Sequence, residues 1–336
     1  MESRCAYPVI SAMTPAGEIL RDRILRAGPI SFHEFMECAL YHPSHGYYCR
    51  PASSSEGPFG AGGDYFTAEQ IQPVFGLLVA SGIRNLFGRP GAPVNPHVVE
   101  LGAGRGEMAF AFGEWPYHPV EILRPYLPPR IAGLIFANEF FDALPVDLAV
   151  REGECFRERR VSWDGRRFIW IRGEPAPEAG ARYLEEFVLP VAEGAVVEIG
   201  LAALDQFRRA AAALDAGFFL VIDYGYDRRE LARFPAGTLL SYRRHQASDD
   251  VLSDPGERDI TSHVNFTALK QCAAACGLRL LREESLAAFL LRAGEPDQFA
   301  SVLDGADERE SLRRRLQLKT LLFGMGETFR VLLWEK

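Results

Sequence analysis

The residues with the clearest chemical potential stand in the stretch VVELGAGRGEM, which begins at Val98. Glu100 is followed by glycines at positions 102, 104 and 106. Glycine adopts backbone conformations that other residues avoid, so such a turn lets a ligand lie directly against main-chain N–H groups. The apolar residues before the glycines predict a buried strand, and the run Glu107–Phe112 after them predicts a helix. The alternative is an ordinary tight turn that holds no ligand.

A second group of polar residues follows the apolar run GLIFA, which predicts a buried strand over residues 133–137. Asn138, Glu139 and Asp142 come directly after it. In open α/β sheets, ligands bind outside the carboxyl ends of the strands. A carboxylate there can hold a cationic group through paired hydrogen bonds. The alternative for Asp142 is a structural role, in which it caps a helix that begins near Ala143.

The elements that would position these residues indicate a doubly wound α/β fold. Apolar strands that end in glycines and acids alternate with helical segments, and this pattern is typical of mostly parallel sheets. Helix-capping signals at Thr14-Pro15 and Ser31–Glu34 predict an N-terminal helical region over residues 1–93. The core would follow over residues 94–336, with a β insertion at about 146–173 and a loop-rich insertion at about 226–264.

The composition and net charge of the chain limit the kinds of molecule that it is expected to bind. The chain has 336 residues, 48% of them hydrophobic, and a net charge of −8, which disfavours nucleic acid and anionic membranes as partners. No apolar run is long enough to span a membrane. The six cysteines are scattered and form no C-x-x-C pair. No His, Cys or acidic spacing predicts a metal site. The start of the chain lacks a signal-peptide core, so a cytoplasmic location is expected.

Several blocks of the chain together resemble the MidA-like family of class I S-adenosyl-L-methionine (SAM)-dependent methyltransferases. This family includes a mitochondrial complex I assembly factor with arginine methyltransferase activity. The blocks span nearly the whole chain in order; they are SFHEFMECALYHPSHGYY, GDYFTAEQIQPVFG, VVELGAGRGEM, FANEFFDALPVD, VIDYGY, GTLLSYRRH, PGERDITSHVNF and GMGETFRVL.

The resemblance implies a Rossmann-like core, SAM as the cofactor, an antiparallel C-terminal strand and a protein substrate, with an arginine guanidinium favoured as the methyl acceptor. It implies that Glu139 orients the guanidinium, with Asn138 and Asp142 beside it. Phe140 and Phe141 would wall the site or pack in the core. The residues we expect at the cofactor are Glu100, Gly102, Ala103, Gly104, Gly106, Glu121 and Asp64.

One segment departs from the family pattern. Residues 115–132 contain five prolines and leave hardly any room for the second strand, helix and third strand that relatives have between the glycine turn and the NEFFDALP block. Because the third strand of relatives supplies adenine contacts, no adenine-binding residue is predicted.

The sequence therefore carries two hypotheses. The first is an active SAM-dependent methyltransferase that modifies a protein, as the glycine turn and Glu139 suggest. The alternative is a weak or inactive assembly or binding factor on the same scaffold, which the shortened segment suggests. A nicotinamide-dependent oxidoreductase is disfavoured, because Glu107 stands where the dinucleotide fingerprint G-x-G-x-x-G has its third glycine.

Overall fold

The computed structural model describes residues 13–49, 68–122, 127–243, 246–304 and 307–336. The helices in these ranges are α1 Pro15–Ala27, α2 Phe32–Tyr41, α3 Val74–Phe87, α4 Glu178–Phe187, α5 Leu201–Ala213, α6 Phe266–Ala275, α7 Leu286–Gly294, α8 Ala300–Leu303 and α9 Glu308–Lys319. The strands are β1 His97–Leu101, β2 Tyr117–Val120, β3 Ile131–Asn138, β4 Asp147–Glu152, β5 Cys155–Trp163, β6 Phe168–Pro175, β7 Val196–Ile199, β8 Leu214–Asp223, β9 Gly225–Tyr226, β10 Leu240–Arg243, β11 Gln246–Ser248, β12 Asp259–Thr261, β13 Val264–Asn265, β14 Arg279–Ser285 and β15 Arg330–Glu335.

A six-stranded sheet with the order β14-β15-β8-β3-β1-β2 forms the centre of the fold. β8, β3, β1 and β2 are parallel, whereas β15 is antiparallel to both β8 and β14. The predicted doubly wound α/β fold with an antiparallel C-terminal strand is therefore confirmed. The carboxyl ends of β1, β3 and β8 lie along one edge of this sheet, which brings the two polar groups of the sequence together.

Helices cover both faces of the central sheet because its strands are apolar on both sides. Val98 of β1 and Phe136 of β3 pack with α3 and α7 on one face. Val99 and Ile135, each one residue away, pack with α5 and α6 on the other face. Alternate residues of a strand point to opposite faces, so this arrangement follows from runs that are hydrophobic at every position.

A four-stranded antiparallel sheet has the order β6-β5-β4-β7. β4, β5 and β6 lie at the predicted β insertion, whereas β7 lies beyond its predicted end at about residue 173. A third hydrophobic cluster joins this sheet to the first two helices, through side chains such as Phe32, Phe35, Leu148 and Val161. The capping box of Ser31 and Glu34 is present at the start of α2. The domain boundaries at about residue 93 stay a prediction.

Two sequence-based predictions of helices are wrong. Residues 107–112 form successive turns rather than a helix, and the chain continues as a loop after Glu139, so Asp142 caps no helix. The first segment lies between Gly106 and Gly113 and is too short to nucleate a helix on its own. It is instead fixed by burial of Met108 and Phe112.

The central sheet ends at β2 within the described part of the chain. The loop after β2 returns to β3 with no further strand in its described residues, as the five prolines of the shortened segment predicted. None of the described helices combines the length and apolar composition needed to cross a bilayer.

Candidate functional site

The glycine turn follows directly from β1. Gly102, Gly104 and Gly106 have φ angles of 71°, 56° and 78°, in the left-handed region that favours glycine. A Cβ at Gly102 would stand 2.8 Å from the ring of Phe140, so the turn packs closely against the loop that carries Glu139. Ala103 is buried, and its carbonyl accepts the N–H of Gly106 at 2.7 Å.

Glu100, near the end of β1, is completely buried. One of its carboxylate oxygens accepts a hydrogen bond from the hydroxyl of Tyr117 in β2. Its other oxygen, Oε1, receives no hydrogen bond from the N–H and O–H groups of the described residues. Removal from water raises the pKa of Glu100 to about 7, although the Tyr117 hydrogen bond opposes this rise.

Glu121 lies at the other side of the turn, directly after β2. Its Oε1 accepts the backbone N–H of Gly104 at 2.6 Å. Burial raises the pKa of this carboxyl, while the hydrogen bond from Gly104 lowers it. The turn therefore lies between two carboxyl groups, Glu100 and Glu121. Asp64, the remaining predicted cofactor residue, lies outside the described residues.

The loop after β3 holds the second group of polar residues. Glu139 has a φ of 48°, a left-handed conformation that costs free energy in any residue with a Cβ. Its backbone N–H donates to Ile222 of β8 at 2.9 Å, and its Oε1 accepts the backbone N–H of Ala68 at 2.9 Å. The amide of Asn138 donates to the same oxygen at 3.3 Å. The carboxylate at this strained backbone position thus contacts the turn at Ala68.

Side chains from several elements fix this loop. Asp223 at the end of β8 accepts the N–H of Phe141 at 3.0 Å. Tyr41 of α2 donates its hydroxyl to the carbonyl of Ala143 at 2.9 Å. The N–H of Ser262 donates to the backbone carbonyl of Asp142 at 2.9 Å. These contacts supply the restraint that a left-handed Glu139 requires.

The pKa values of the carboxyl groups in this loop are raised by burial and, for Glu139, also by the charge of Asp142. Removal from water, followed by the charge of Asp142, raises the pKa of Glu139 to about 8. Burial also raises the pKa of Asp142 to about 6, against a hydrogen bond from the Tyr224 hydroxyl. Oδ1 of Asn138 and Oδ1 of Asp142 are buried and receive no hydrogen bond from the described residues.

Sequence reasoning missed Glu69. Ala68–Gln70 is a short 3₁₀ turn, and the helix that follows it, α3, begins at Val74. The side chain of Glu69 is buried, and this burial, followed by the negative charges of Glu100 and Glu139, raises its pKa well above the ordinary value. The only signal was its place in the block GDYFTAEQIQPVFG, since 31 residues separate it from Glu100.

Five carboxyl groups therefore line one edge of the sheet; we call them the acidic site, and they are Glu69, Glu100, Glu121, Glu139 and Asp142. None of the five forms a salt bridge with a Lys, Arg or His of the described chain. No group of His, Cys, Asp and Glu side chains in the described ranges is arranged to hold a metal ion.

These features fit SAM, which carries a sulfonium, an α-ammonium group and a ribose diol. The three glycines have left-handed backbone, which is typical of turns that a ligand approaches closely. The buried and unsatisfied Oε1 of Glu100 suits a cation, and Glu121 at the end of β2 suits a diol. The assignment of each residue to a part of the cofactor stays a prediction.

Comparisons with known proteins agree with this geometry. A family model described as "Putative S-adenosyl-L-methionine-dependent methyltransferase" matches residues 114–283. A crystal structure from Burkholderia thailandensis, of a "likely methyl transferase" bound to S-adenosyl-homocysteine, has a TM-score of 0.83 and 30% sequence identity. That match covers 96% of this chain and 92% of the other.

The names of two curated relatives specify the substrate of methylation. The chain is 26% identical to the mitochondrial protein arginine methyltransferase NDUFAF7 homolog of Drosophila melanogaster, over 77% of this chain and 70% of that protein. It is 24% identical to the human mitochondrial protein arginine methyltransferase NDUFAF7, over 96% and 83% respectively.

The cytoplasmic location expected from the sequence is contradicted by these relatives, since each is named as mitochondrial. The lack of a signal-peptide core was too weak a criterion to assign a compartment.

Matches to the family model and to the Burkholderia structure cover most of the central sheet and its helices. The central sheet and its order agree with the fold of these methyltransferases, whereas the roles of the individual site residues stay predictions. The chain belongs to the family of S-adenosyl-L-methionine-dependent methyltransferases, and SAM is its cofactor.

Proposed function

We propose that this methyltransferase modifies the guanidinium group of arginine in a protein substrate, and that Glu139 orients the acceptor. The observation that carries the proposal is the strained Glu139 loop, whose carboxylate lies in an acidic site without a cation from the described chain. The names of the curated relatives support the same class of acceptor.

A guanidinium group is a poor nucleophile because its lone pairs are delocalised. A carboxylate that accepts two of its N–H groups fixes the plane of the group and offsets its charge. Ala68 and Asn138 hold Glu139 for this role by donating to its Oε1. No other donor among the described residues contacts the carboxylate, so its second oxygen is available to an acceptor. The free Oδ1 atoms of Asn138 and Asp142 are further acceptors for guanidinium N–H groups.

When bound, SAM supplies an electrophilic methyl group on its sulfonium. Transfer forms an N–C bond, breaks the S–C bond and releases one proton from the methylated nitrogen. The chain's task is to position the nitrogen in line and to exclude water. Because the pKa of Glu139 is raised to about 8, this carboxyl is a better proton acceptor than an ordinary glutamate.

The experiment is methyl transfer from labelled SAM into a lysate of cells that lack this protein. Label is expected in methylarginine after acid hydrolysis, and mass spectrometry then maps the modified residue. Glu139→Gln should abolish the transfer. Glu198→Gln is the matched control, because Glu198 is a buried carboxyl in the β-insertion sheet that bonds Thr238. Label confined to another amino acid, or full activity of Glu139→Gln, would refute the proposal.

A further inference from the structure

A cavity of about 430 Å³ lies between the β-insertion sheet and the loop-rich insertion. Its volume is in the range that is typical of ligand pockets. The sheet contributes Leu148, Arg159 and Trp170 to the lining, and the loop-rich insertion contributes Phe234 and the segment 236–240. None of the five carboxyl groups of the acidic site is among the lining residues. The binding of SAM and the orientation of the acceptor by Glu139 therefore leave this cavity without a role.

Arg159 brings a positive charge to the cavity. Its guanidinium carbon lies over the ring of Trp170, 4.5 Å from the ring centroid, and this contact fixes the plane of the group. Burial lowers the pKa of Arg159, and no carboxylate of the described chain raises it. Asp249 also lines the cavity, but it is exposed and forms no salt bridge with Arg159. The guanidinium is therefore available to an anion that enters the cavity.

Backbone hydrogen bonds place this cavity beside the loop that carries Glu139. The N–H of Ser262 donates to the carbonyl of Asp142 at 2.9 Å. The N–H of the next residue, His263, donates to Oγ1 of Thr238 at 2.9 Å, and both of these residues line the cavity. The Glu139 loop itself runs into β4, which forms part of the cavity wall. A protein segment whose arginine reaches Glu139 can therefore place a neighbouring side chain in the cavity.

We propose that this cavity binds the segment of the protein substrate that flanks the acceptor arginine, and that Arg159 binds an Asp or Glu side chain of that segment. The inference rests on the proposed function, because it requires an arginine in a protein as the acceptor. The charges of the two sites are complementary to such a segment, since the acidic site suits the arginine and Arg159 suits a carboxylate. Substrates are then distinguished by an acidic residue near the methylated arginine.

The lining suits a carboxylate that is carried by a polypeptide. A guanidinium whose plane is fixed can donate two parallel N–H bonds to one carboxylate. The ring of Phe234 packs edge-on against that of His263, with centroids 5.1 Å apart, and offers apolar surface to an aliphatic stem. Nδ1 of His263 is buried and has no hydrogen-bond partner among the described residues, so it is available to a peptide group.

The test uses the intact enzyme and the acceptor protein that the labelled lysate identifies. Each Asp and Glu within about ten residues of the methylated arginine, a reach of about 30 Å in an extended chain, is replaced in turn by Asn or Gln. One of these replacements should raise the KM for the acceptor by about 10- to 100-fold, which is the effect of losing a hydrogen bond between charged groups. This measurement needs no enzyme variant. Equal KM values for all of these acceptors would overturn the inference.

Arg159→Gln should raise the KM for the unaltered acceptor by a similar factor and leave the affinity for SAM unchanged. The acceptor replacement that matters in wild type should raise the KM of this variant no further, because both changes remove the same contact. Arg159→Lys keeps the charge but not the planar pair of donors, so its KM should lie between those of wild type and Arg159→Gln.

Arg167→Gln is the matched control, because it removes the same charge from an exposed side chain that forms a salt bridge with Asp164 at 3.8 Å. Its KM should equal that of wild type. Methylarginine formed with equal KM values by wild type and Arg159→Gln would overturn the inference and leave the proposed function intact. Absence of methylarginine from the labelled lysate would instead refute the proposed function, and this inference with it.

Discussion

The backbone N–H of Gly104 donates a hydrogen bond of 2.6 Å to the carboxylate of Glu121. This bond joins the turn after β1 to the residue that follows the neighbouring strand β2. It holds the carboxyl group of Glu121 beside the main chain of the glycine turn. A cofactor with a nucleoside diol and an amino-acid group can contact the carboxyl with the first and the main chain with the second. The following predictions concern this contact and the acidic site around it.

Gly104→Val should weaken SAM binding by about 100-fold or more while the protein still unfolds cooperatively. A β-branched residue is strongly disfavoured at a φ of 56°, so the turn must move away from Glu121. The cost to stability should be about 1–3 kcal/mol. Calorimetry with SAM and thermal denaturation measure the two effects. Gly113→Ala is the control, since its added Cβ would meet no atom closer than 3.4 Å. Unchanged affinity in Gly104→Val would remove the turn from the site.

Glu139→Gln should lose methyl transfer by about 100-fold or more without loss of stability. The amide keeps the shape of the side chain and removes a charge that the folded protein disfavours, as the raised pKa of about 8 shows. The melting temperature at pH 8 should therefore equal or exceed that of wild type. A lower melting temperature would mean that the carboxylate stabilises the loop rather than serving the acceptor.

The free protein should become less stable as the pH rises from 7.0 to 8.5. Glu100 and Glu139 have pKa values of about 7 and 8 in the folded state, above the ordinary 4.5, so the folded state binds more protons than the unfolded state in this range. The free energy of unfolding then decreases with pH, by about 1–2 kcal/mol in total.

Scanning fluorimetry at these pH values should show a fall of a few degrees in melting temperature. Burial lowers the pKa of His263 from 6.5, so this group contributes only a slight gain in stability above pH 7.0, opposite in sign to the carboxyl groups. The decrease in melting temperature over this pH range should be smaller in Glu139→Gln than in wild type. A melting temperature that rises over this range would contradict the raised pKa values.

Tyr224→Phe should raise the lower of the two pKa values in the acidic limb of the pH–rate profile, which is that of Asp142, by about one unit. The Tyr224 hydroxyl lowers the pKa of Asp142, and a hydrogen bond to a charged group is worth about 1.5–3 kcal/mol. Tyr183→Phe is the control, because that buried hydroxyl bonds groups outside the acidic site. Both variants should lose some stability, but only Tyr224→Phe should change the acidic limb of the pH–rate profile.

Most of the fold could be predicted from the sequence because its strands are either apolar throughout or clearly alternating. The placement of Glu100 and Glu139 at strand ends followed from the same pattern. The burial of Glu69 near Glu100 could not be predicted, because it depends on the packing of a short 3₁₀ turn close to a strand residue 31 positions further along the chain. The helix predicted over 107–112 was wrong because local propensity was outweighed by the flanking glycines and by the burial of Phe112.

The short strand β2 has a further consequence for how copies of this protein behave in solution. Val98 of β1 and Gly102, directly after β1, donate to the carbonyls of Pro116 and Val120. The backbone N–H and C=O groups of the even-numbered residues in the segment 116–120 therefore face β1. The nitrogen of Pro119 therefore faces the open edge, where proline offers no N–H donor. An edge without a neighbouring strand in the described chain is thereby protected against pairing with a strand of another molecule.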